Sequence, residues 1–483
     1  MHFDETLLKS VLLDAELVNS IAQRELNFSI DSRDVNSNEI FVALEGLKFD
    51  GHNFLKEALE NGAIGLMIKK SKKDVLKSLD DNLLKSKLLI LVEDTFESII
   101  ALAENWRSRF SCSVIAVTGS VGKTSTKNII GNIISKEGKD VLVSKGNQNT
   151  LLGVALNILR MRENLFAAVF EVGINKRGEM AKIATLLNPT IAVITCIGHS
   201  HMEGLGSLVD ISSEKRCIFK NFKENSIGII NGDDSHLANI GYAYPVIKFG
   251  YKTTNQIQAR KIKISTDGIN FILKIYNQKF NIKLNTFHEG HIYNSLAATA
   301  VACVLNIPYQ QIVYGITKPL KIKGRFQNKK IIGDRGTLID DCYNANPESV
   351  KSALIAFEQI ETSFKKVIVL SDMNELGEDS AFWHRQIGRF LRKIKSVSHV
   401  ILVGKMVECT KTTLPLGVRV DAVATWNEAL FVLKALMAEE KLCILIKGST
   451  FGYTDGLACL VKTLSTEDDI MIHAARQEKR AQI

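Results

Sequence analysis

The sequence lacks most of the features that mark unusual classes of protein. Proline occurs only 6 times among 483 residues, against 32 glycines, and we find no internal repeat and no low-complexity segment. Together with 46% hydrophobic residues, this composition excludes a disordered chain, a collagen-like repeat and a small disulfide-stapled domain. The length instead favours about three domains of ordinary size.

Cysteine pairs and long apolar runs are missing as well. The 8 cysteines lie far apart without a C-x-x-C pair, which argues against a zinc site or a disulfide framework and favours reduced thiols. No apolar run approaches the ~20 residues of a membrane-spanning helix, and the first residues lack the basic segment of a secretion signal. We therefore expect a cytoplasmic protein that does not insert into a membrane.

Neither sign of charge dominates the sequence. The 61 Lys and Arg residues and the 52 Asp and Glu residues leave a net charge of only +9. The basic residues are dispersed and form no stripe interleaved with aromatic side chains, which a nucleic-acid-binding protein would be expected to have. The modest positive charge fits an anionic small molecule, and we predict no nucleic-acid partner.

The apolar runs predict an α/β protein of three domains. Residues 1–107 have the pattern of a small α/β unit, residues 108–318 that of a mostly parallel sheet covered on both faces, and residues 319–483 that of a doubly wound, Rossmann-like sheet. Polar and apolar residues alternate over about 256–284, which predicts an antiparallel patch, and a helix is predicted over 292–305. The strand predictions rest on the runs 114–117, 167–170, 191–194, 227–230, 338–339, 367–370, 400–403 and 443–446.

A phosphate-binding loop follows the first strong strand. Between that strand and an apolar-periodic helix stand Gly119, Ser120, Gly122, Lys123, Thr124 and Ser125. The glycines let the backbone approach phosphate, the helix N-terminus faces the anion, the lysine neutralises charge and the threonine hydroxyl can bind Mg²⁺. Val117 occupies the first glycine position of the full P-loop pattern, so the match is to a shorter motif. The loop favours ATP or GTP but names no reaction.

Polar residues also follow two later strands, which the same sheet would bring to the same edge. Glu171 follows one apolar strand, and His199 and His201 follow another. A carboxylate suits Mg²⁺, although Glu171 could equally form a salt bridge. Histidine is an unusual ligand for so hard an ion, so hydrogen-bonded loop residues remain the alternative for both histidines. The pattern around Lys215 by itself indicates the solvated face of a helix.

Segments along nearly the whole chain, in the family's order, resemble the ATP-dependent Mur ligases of peptidoglycan synthesis. The resemblance is strongest to the branch that adds D-alanyl-D-alanine to UDP-N-acetylmuramoyl-tripeptide. The first three segments are similar to the family's uridine-nucleotide domain, which folylpolyglutamate synthetases, ligases of the same build, lack. The segments are residues 31–33, 41–46, 50–52, 118–125, 146–149, 171–175, 201–207, 215–219, 293–298, 324–326, 340–347, 372–377 and 447–449.

The resemblance implies ATP and Mg²⁺ as cofactors and assigns catalysis to Lys123, Lys215, His201 and Arg325. It implies that Lys215 is carbamylated, which would turn a cation into an oxygen ligand. Mg²⁺ would then be held by Thr124, Glu171, His201 and Lys215. Beyond the loop, ATP would be bound by Asn294, Arg325 and Asp341. The UDP-linked substrate would be bound by Ser32, Arg33, Gly46, Asp50, His52, Asn147, Asn149, Tyr343 and Asn346.

The implied activity is amide bond formation by a monomer, through acyl phosphate and tetrahedral intermediates. One alternative is another Mur ligase, such as the enzyme that adds the third residue, but its Asp-Asn-Pro-Arg motif is absent here. Another, from a different class, is a nucleotide-driven switch or a nucleic-acid motor. Residues that depart from the family pattern stand at Gly290, His291, Ser371 and Thr450, outside the predicted phosphate and metal chemistry.

Overall fold

Three β-sheets follow one another along the chain and divide it into three regions. The computed structural model describes residues 4–20, 26–46, 49–265, 268–318, 322–449 and 456–465. Within these residues the sheets have five, nine and six strands. None of the described helices is both long enough and apolar enough to cross a membrane.

A mixed sheet forms the N-terminal region. Its elements are α1 (Glu5–Val11), β1 (Glu16–Val18), β2 (Asn27–Ser29), β3 (Glu39–Val42), α2 (Leu55–Glu60), β4 (Gly65–Lys69), α3 (Asp81–Leu84), β5 (Leu88–Val92) and α4 (Thr95–Arg107). The strand order is β1-β5-β4-β3-β2, with β1 antiparallel to β5 and the other pairs parallel. Helix α4 shares a hydrophobic core with the second region, and its Trp106 indole donates to the Met161 carbonyl at 3.0 Å.

A mostly parallel sheet forms the central region. Its elements are β6 (Ser113–Thr118), α5 (Lys123–Lys136), β7 (Val141–Val143), α6 (Leu151–Ile158), β8 (Ala167–Glu171), α7 (Glu179–Leu187), β9 (Ile191–Ile194), α8 (Met202–Leu205), α9 (Leu208–Arg216), β10 (Ile227–Asn231), α10 (Ser235–Ala238), β11 (Val246–Gly250), β12 (Ile257–Ser265), β13 (Gly268–Ile275), β14 (Gln278–Leu284), α11 (Gly290–Val304) and α12 (Tyr309–Thr317). The strand order is β14-β13-β12-β11-β10-β9-β6-β8-β7. Strands β12 to β14 are antiparallel, which confirms the predicted patch, and α11 confirms the predicted helix.

Strand β6 shows why this sheet needs unbroken apolar runs. Val114 and Ala116 belong to a core with α4, α6 and α7, whereas Ile115 and Val117 belong to a core with α5, α11 and α12. All four side chains are completely buried. Successive side chains of a strand point to opposite faces. A strand covered by helices on both sides must therefore be apolar at every position.

A doubly wound sheet forms the C-terminal region, as predicted. Its elements are β15 (Gln327–Lys330), β16 (Gly336–Asp341), α13 (Pro347–Glu358), β17 (Lys365–Ser371), α14 (Ser380–Leu391), β18 (Val397–Val403), β19 (Arg419–Val423), α15 (Trp426–Glu439), β20 (Leu442–Lys447) and α16 (Gly456–Leu464). The strand order is β15-β16-β20-β17-β18-β19, and β15 alone among these described strands runs antiparallel to its neighbour. Helices α13 and α14 cover one face, and α15 and α16 cover the other.

The carboxyl ends of three central strands meet at one edge. Strand β6 lies between β8 and β9, with Val117 paired to Glu171 and Thr118 paired to Ile194. The loops that leave these strands are therefore neighbours. This is the edge at which open α/β sheets bind ligands, and the candidate residues were predicted to lie there.

Candidate functional site

The phosphate-binding loop connects β6 to α5 through two glycines with left-handed backbone conformations. Gly119 has a φ of +141° and Gly122 a φ of +88°. A Cβ atom at Gly119 would collide with Thr195 Oγ1, and one at Gly122 would collide with Asn294 Oδ1. Both glycines are therefore required by backbone shape and by space. Asn294, predicted to bind ATP, thus packs against the loop, and its Oδ1 accepts from Thr126 Oγ1 at 3.3 Å.

The polar side chains of the loop have different roles. Ser120 Oγ donates to the Gly198 carbonyl at 3.0 Å and accepts the Gly198 N–H at 2.9 Å, so it ties the loop to the segment after β9. Lys123 Nζ donates to the Gly119 carbonyl at 2.8 Å, and burial lowers the pKa of Lys123. Thr124 Oγ1 is buried and has no hydrogen-bond partner among the described residues.

Glu171 ends β8 as a buried carboxylate, only 2% exposed. Its Oε1 accepts from Asn149 Nδ2 at 2.9 Å, and its N–H donates to Ser144 Oγ at 3.0 Å. Its Oε2 has no hydrogen-bond partner in the described part of the chain, and Lys127 Nζ lies 3.6 Å away. This ion pair is the alternative that the sequence left open for Glu171. Because Oε2 makes no hydrogen bond, the carboxylate is also suited to bind a cation.

Two histidine–carboxylate pairs join the segment after β9 to the C-terminal region. His199 Nδ1 lies 2.5 Å from Glu348 Oε1, and His201 Nδ1 lies 2.8 Å from Glu375 Oε2. The His199 ring also packs against Trp383, with the ring centroids 4.0 Å apart and the ring planes tilted by 50°. These contacts favour the hydrogen-bonded alternative for His199. His201 is held beside the loop by a carboxylate of the opposite domain.

Lys215 lies on α9 and is completely buried, so the solvated helix face that its local pattern indicated is wrong. Its Nζ has no hydrogen-bond partner among the residues that the structure describes. Burial lowers the pKa of Lys215 to about 7, and the positive charge of Lys123 acts in the same direction. The amine is therefore partly unprotonated near neutral pH, unlike that of a surface lysine.

Arg325 of the C-terminal region lines the same cavity as the loop, and Asp341 lies behind it in the same region. The Arg325 guanidinium lies 4.1 Å from the ring centroid of Tyr343, and its Nε has no hydrogen-bond partner in the described ranges. Asp341 Oδ1 accepts the Phe326 N–H at 3.1 Å, and its Oδ2 lies 2.9 Å from Lys447 Nζ. Burial raises the pKa of Asp341, against the attraction of Lys447. Stacking on Tyr343 leaves the edge of the guanidinium available to an anion.

A cavity of about 270 Å³ collects residues from these elements. It is bounded by the loop, the end of β8, the segment after β9 and the first residues of the C-terminal region. Thr124 and Lys215 do not line it, so the structure does not bring the whole predicted metal set to one wall. The predicted residues that do line it are Ser120, Gly122, Lys123, Asn147, Asn149, Glu171, His201, Arg325, Tyr343 and Asn346.

A larger cavity of about 930 Å³ lies between the central and C-terminal regions. Ser125, His291 and Phe326 line it, and Arg325 lines both cavities and so connects them. Burial lowers the pKa of His291 to about 4 and keeps the ring neutral near pH 7. The walls combine the aromatic rings of Phe287 and Phe326 with polar residues and several lysines, which suits an anionic nucleotide. Four residues predicted to bind ATP line neither cavity, namely Gly119, Thr124, Asn294 and Asp341.

The residues predicted to bind the uridine nucleotide are paired with one another or with nearby groups. His52 Nδ1 lies 2.6 Å from Asp50 Oδ1, and its Nε2 accepts the Lys69 N–H at 3.1 Å. The ion pair of Lys145 Nζ with Asp34 Oδ2, at 3.5 Å, joins this part of the N-terminal region to the loop before α6. Neither cavity is lined by Ser32, Arg33, Gly46, Asp50 or His52.

The donor set fits Mg²⁺ held together with nucleotide phosphates. The described residues contain no group of three or more His, Cys, Asp or Glu side chains that could hold a metal on their own. Mg²⁺ in nucleotide sites takes one or two carboxylates and completes its shell with phosphate and water oxygens. Thr124 Oγ1 and Glu171 Oε2, which make no hydrogen bond among the described residues, are donors of this kind. Lys215 fits only after conversion of its amine to an oxygen donor.

Comparison with known proteins identifies the family. Three family models match successive parts of the chain, namely "Mur ligase family, catalytic domain" at residues 27–86, "Mur ligase middle domain" at 117–302 and "Mur ligase, glutamate ligase domain" at 324–450. A Bacillus subtilis (strain 168) protein named UDP-N-acetylmuramoyl-tripeptide--D-alanyl-D-alanine ligase is 33% identical over 377 residues, covering 78% of this chain and 79% of that protein. The protein of that name from Escherichia coli (strain K12) is 31% identical over 425 residues, covering 87% and 90%.

The chain belongs to the Mur ligase family. Solved structures agree with this assignment and confirm the three-domain α/β fold. MurF from Acinetobacter baumannii matches this Mur ligase with a TM-score of 0.80 and 26% identity, over 96% of this chain and 99% of that one. A MurF ligase from Thermotoga maritima, solved in complex with ADP, matches with a TM-score of 0.72 and 25% identity, over 90% and 96%.

Sequence reasoning missed two residues that organise the site of this Mur ligase. Glu375 lines the smaller cavity and pairs with His201. It lies in the segment 372–377, which resembles the family, but no role was predicted for it. Lys127 contacts Glu171 and follows Lys123 by one helical turn. That spacing was a usable signal, because residues four apart on a helix share a face. Thr450, where the family pattern is broken, lies outside the described residues.

Proposed function

We propose that this Mur ligase joins D-alanyl-D-alanine to UDP-N-acetylmuramoyl-tripeptide, using ATP, and so makes the UDP-pentapeptide precursor of peptidoglycan. The two relatives reported above carry the name of this activity and align with most of the chain. The solved neighbour in complex with ADP supports the use of ATP.

One observation of the site carries the proposal. Four of the predicted residues each hold a buried polar atom without a hydrogen-bond partner among the described residues, namely Thr124 Oγ1, Glu171 Oε2, Lys215 Nζ and Arg325 Nε. Leaving such an atom unpaired costs about 1–3 kcal/mol, so four around one loop are explained best by a ligand that completes them. A metal–nucleotide complex supplies both the cation and the phosphate oxygens that these atoms need.

The first chemical step is a phosphoryl transfer. A carboxylate oxygen of the tripeptide attacks the γ-phosphorus of ATP, the new C–O–P linkage forms, and the bond to the ADP oxygen breaks. Two anions must approach each other, so the protein contributes positive charge rather than a nucleophile. Lys123 of the central region and Arg325 of the C-terminal region would supply it, since both residues line the smaller cavity.

The second step is acyl transfer to the dipeptide amine. The amine attacks the acyl phosphate carbon, the tetrahedral intermediate collapses with loss of phosphate, and the proton lost by the amine passes to the departing phosphate. Water would hydrolyse the acyl phosphate, so the site must be closed. The pairs of His199 with Glu348 and of His201 with Glu375 would hold the C-terminal region over the loop during this step.

Mg²⁺, when bound, would add charge that stabilises the transferring phosphoryl group. We propose Thr124 and Glu171 as ligands for one ion, and His201 with carbamylated Lys215 for a second. Carbamylation needs a neutral amine, which adds to carbon dioxide and releases a proton. The burial of Lys215 and its pKa of about 7 supply that amine.

We further propose that the enzyme acts in the cytoplasm as a monomer. ATP and a UDP-linked substrate are both intracellular metabolites. Lys123, His201 and Arg325 all line the smaller cavity, so a single chain can supply these three catalytic residues.

An omission assay tests the proposed function. Phosphate release is measured with ATP, UDP-N-acetylmuramoyl-tripeptide and D-alanyl-D-alanine, each left out in turn, with tripeptides that differ in the third residue. We expect release only when all three are present. Release that ignores the dipeptide, or that depends instead on DNA, would overturn the proposal.

A further inference from the structure

Lys127 is a buried lysine that neither the sequence motif nor the proposed chemistry uses. It lies on α5 one turn after Lys123 and is only 1% exposed. Lysine is almost never fully buried unless it is paired, because an isolated ammonium is expensive to remove from water. Its surroundings therefore indicate what it does.

The Lys127 ammonium makes two hydrogen bonds and one longer ion pair. It donates to the Ser144 carbonyl at 2.9 Å and to the Gly146 carbonyl at 3.0 Å. It also lies 3.6 Å from Glu171 Oε2. One side chain thus connects the helix after the phosphate-binding loop, the carboxylate at the end of β8, and residues 144–149, which we call the substrate loop.

The substrate loop carries two of the predicted substrate residues. Asn147 and Asn149 line the smaller cavity, and Asn149 also donates to Glu171 Oε1 at 2.9 Å. The loop carbonyls held by Lys127 come immediately before Asn147. Fixing these carbonyls fixes where the two asparagines stand relative to the carboxylate.

We propose that Lys127 is a positioning residue that locks the substrate loop against Glu171, so that the UDP-linked substrate and the nucleotide are held in register. The inference rests on the proposed function for the identity of the substrate. It differs from the role of Lys123, because Lys127 faces the loop backbone and is not on the wall of either cavity. It therefore acts through the asparagines and not on phosphate.

The chain offers a matched control in Lys366. This lysine is also buried and also donates to two backbone carbonyls, those of Phe357 and Glu358, both at 2.9 Å. It lies in β17 of the C-terminal region and lines neither cavity. Lys366→Met thus reports the general effect of removing a buried ammonium from this protein.

Calorimetric titration of the full-length chain with UDP-N-acetylmuramoyl-tripeptide, without ATP or Mg²⁺, tests the proposal directly. Lys127→Met should weaken binding about tenfold, the loss expected when a set of charged hydrogen bonds is removed. Lys366→Met should bind as the wild type does, and Lys127→Arg, which keeps the charge and donors, should recover most of the affinity. In the ligation assay the KM for the UDP-tripeptide should rise for Lys127→Met, while the KM for D-alanyl-D-alanine stays unchanged.

Wild-type affinity of a folded Lys127→Met variant would overturn the inference, as would an equal loss in Lys366→Met. If Lys127→Met does not fold, Lys127→Gln, which keeps an N–H donor but neither the reach nor the charge, is measured instead and must show the same loss. Failure of the proposed function is seen separately, in a wild-type chain that binds the UDP-tripeptide but does not ligate it.

Discussion

The two predicted binding regions of this chain satisfy their polar groups in opposite ways. In the N-terminal region, Ser32 Oγ donates to Glu57 Oε2 at 2.5 Å, and Arg33 makes two hydrogen bonds of 2.9 Å to Asp31. Around the phosphate-binding loop, by contrast, buried atoms such as Thr124 Oγ1 and Lys215 Nζ have no hydrogen-bond partner among the described residues.

This difference indicates on which of the two regions the ligation chemistry depends. A region whose charges are already paired can recognise a substrate by exchanging exposed contacts, and its loss should affect binding alone. A region with buried unpaired groups is completed only by its ligands, and its loss should remove the reaction. Four substitutions in the two regions, ordered by expected effect, test this division.

The largest effect is expected at the loop. Lys123→Ala should reduce ligation about 1,000-fold, because the transferring phosphoryl group loses its nearest cation. Binding of the UDP-tripeptide, measured by calorimetry, should stay within about threefold of the wild type. Normal ADP release by this variant with both substrates present would contradict the prediction.

The second effect is expected at Lys215. Lys215→Ala should lose about 100-fold in kcat, and added formate or acetate should restore part of it, since a short carboxylate can replace the carbamate oxygens. Chloride at the same ionic strength is the control. A variant that turns over like the wild type would remove Lys215 from the site.

A smaller effect is expected in the N-terminal region. Arg33→Ala should raise the KM for the UDP-tripeptide about tenfold and leave kcat within about twofold, because an exposed guanidinium contributes to binding in the ground state and the transition state alike. Initial rates over a range of UDP-tripeptide concentrations measure both constants. A fall in kcat with an unchanged KM would show that Arg33 contributes to the reaction step, as residues around the phosphate-binding loop do, and would contradict the division between the two regions.

The smallest effect concerns the pairing of Asp50 with His52. Burial opposes ionisation of Asp50, but hydrogen bonds from the His52 N–H and ring and from Lys72 outweigh it and lower the pKa of Asp50 to about 2. A carboxylate with a lowered pKa stabilises the fold above its ordinary pKa of 3.8, and this contribution is lost as the pH falls toward 2. Asp50→Asn should therefore lower Tm by about 2 °C at pH 7.

Thermal unfolding of Asp50→Asn and of the wild type, from pH 7 down to pH 3, checks the direction of this pH dependence. The gap between Asp50→Asn and the wild type should narrow below pH 4. A gap that widens on acidification would show that the Asp50 carboxylate does not stabilise the fold as described.

The sheets could be predicted from sequence because their signals are local. The unbroken run 114–117 and the loop that follows it require only neighbouring residues to be recognised, and both are found where predicted. Lys215 shows the limit. Its neighbours Glu214 and Arg216 give α9 a polar pattern, and only the packing of α9 against the rest of the domain buries the lysine.

Contacts between domains were beyond sequence reasoning for a related reason. His201 and Glu375 form their pair only because the C-terminal region closes over the loop, and no periodicity in either segment reports this. The roles given to the predicted site residues remain predictions, and the family resemblance supplied those that residue chemistry alone could not.

The formation of an acyl phosphate is tested most directly by tracing a carboxylate oxygen of the tripeptide into the released phosphate. The tripeptide is labelled with ¹⁸O in its terminal carboxylate and incubated with ATP, Mg²⁺ and D-alanyl-D-alanine, and the released phosphate is analysed by mass spectrometry. If the carboxylate is activated at this loop, each phosphate carries one labelled oxygen. Unlabelled phosphate, formed alongside normal pentapeptide product, would contradict the account.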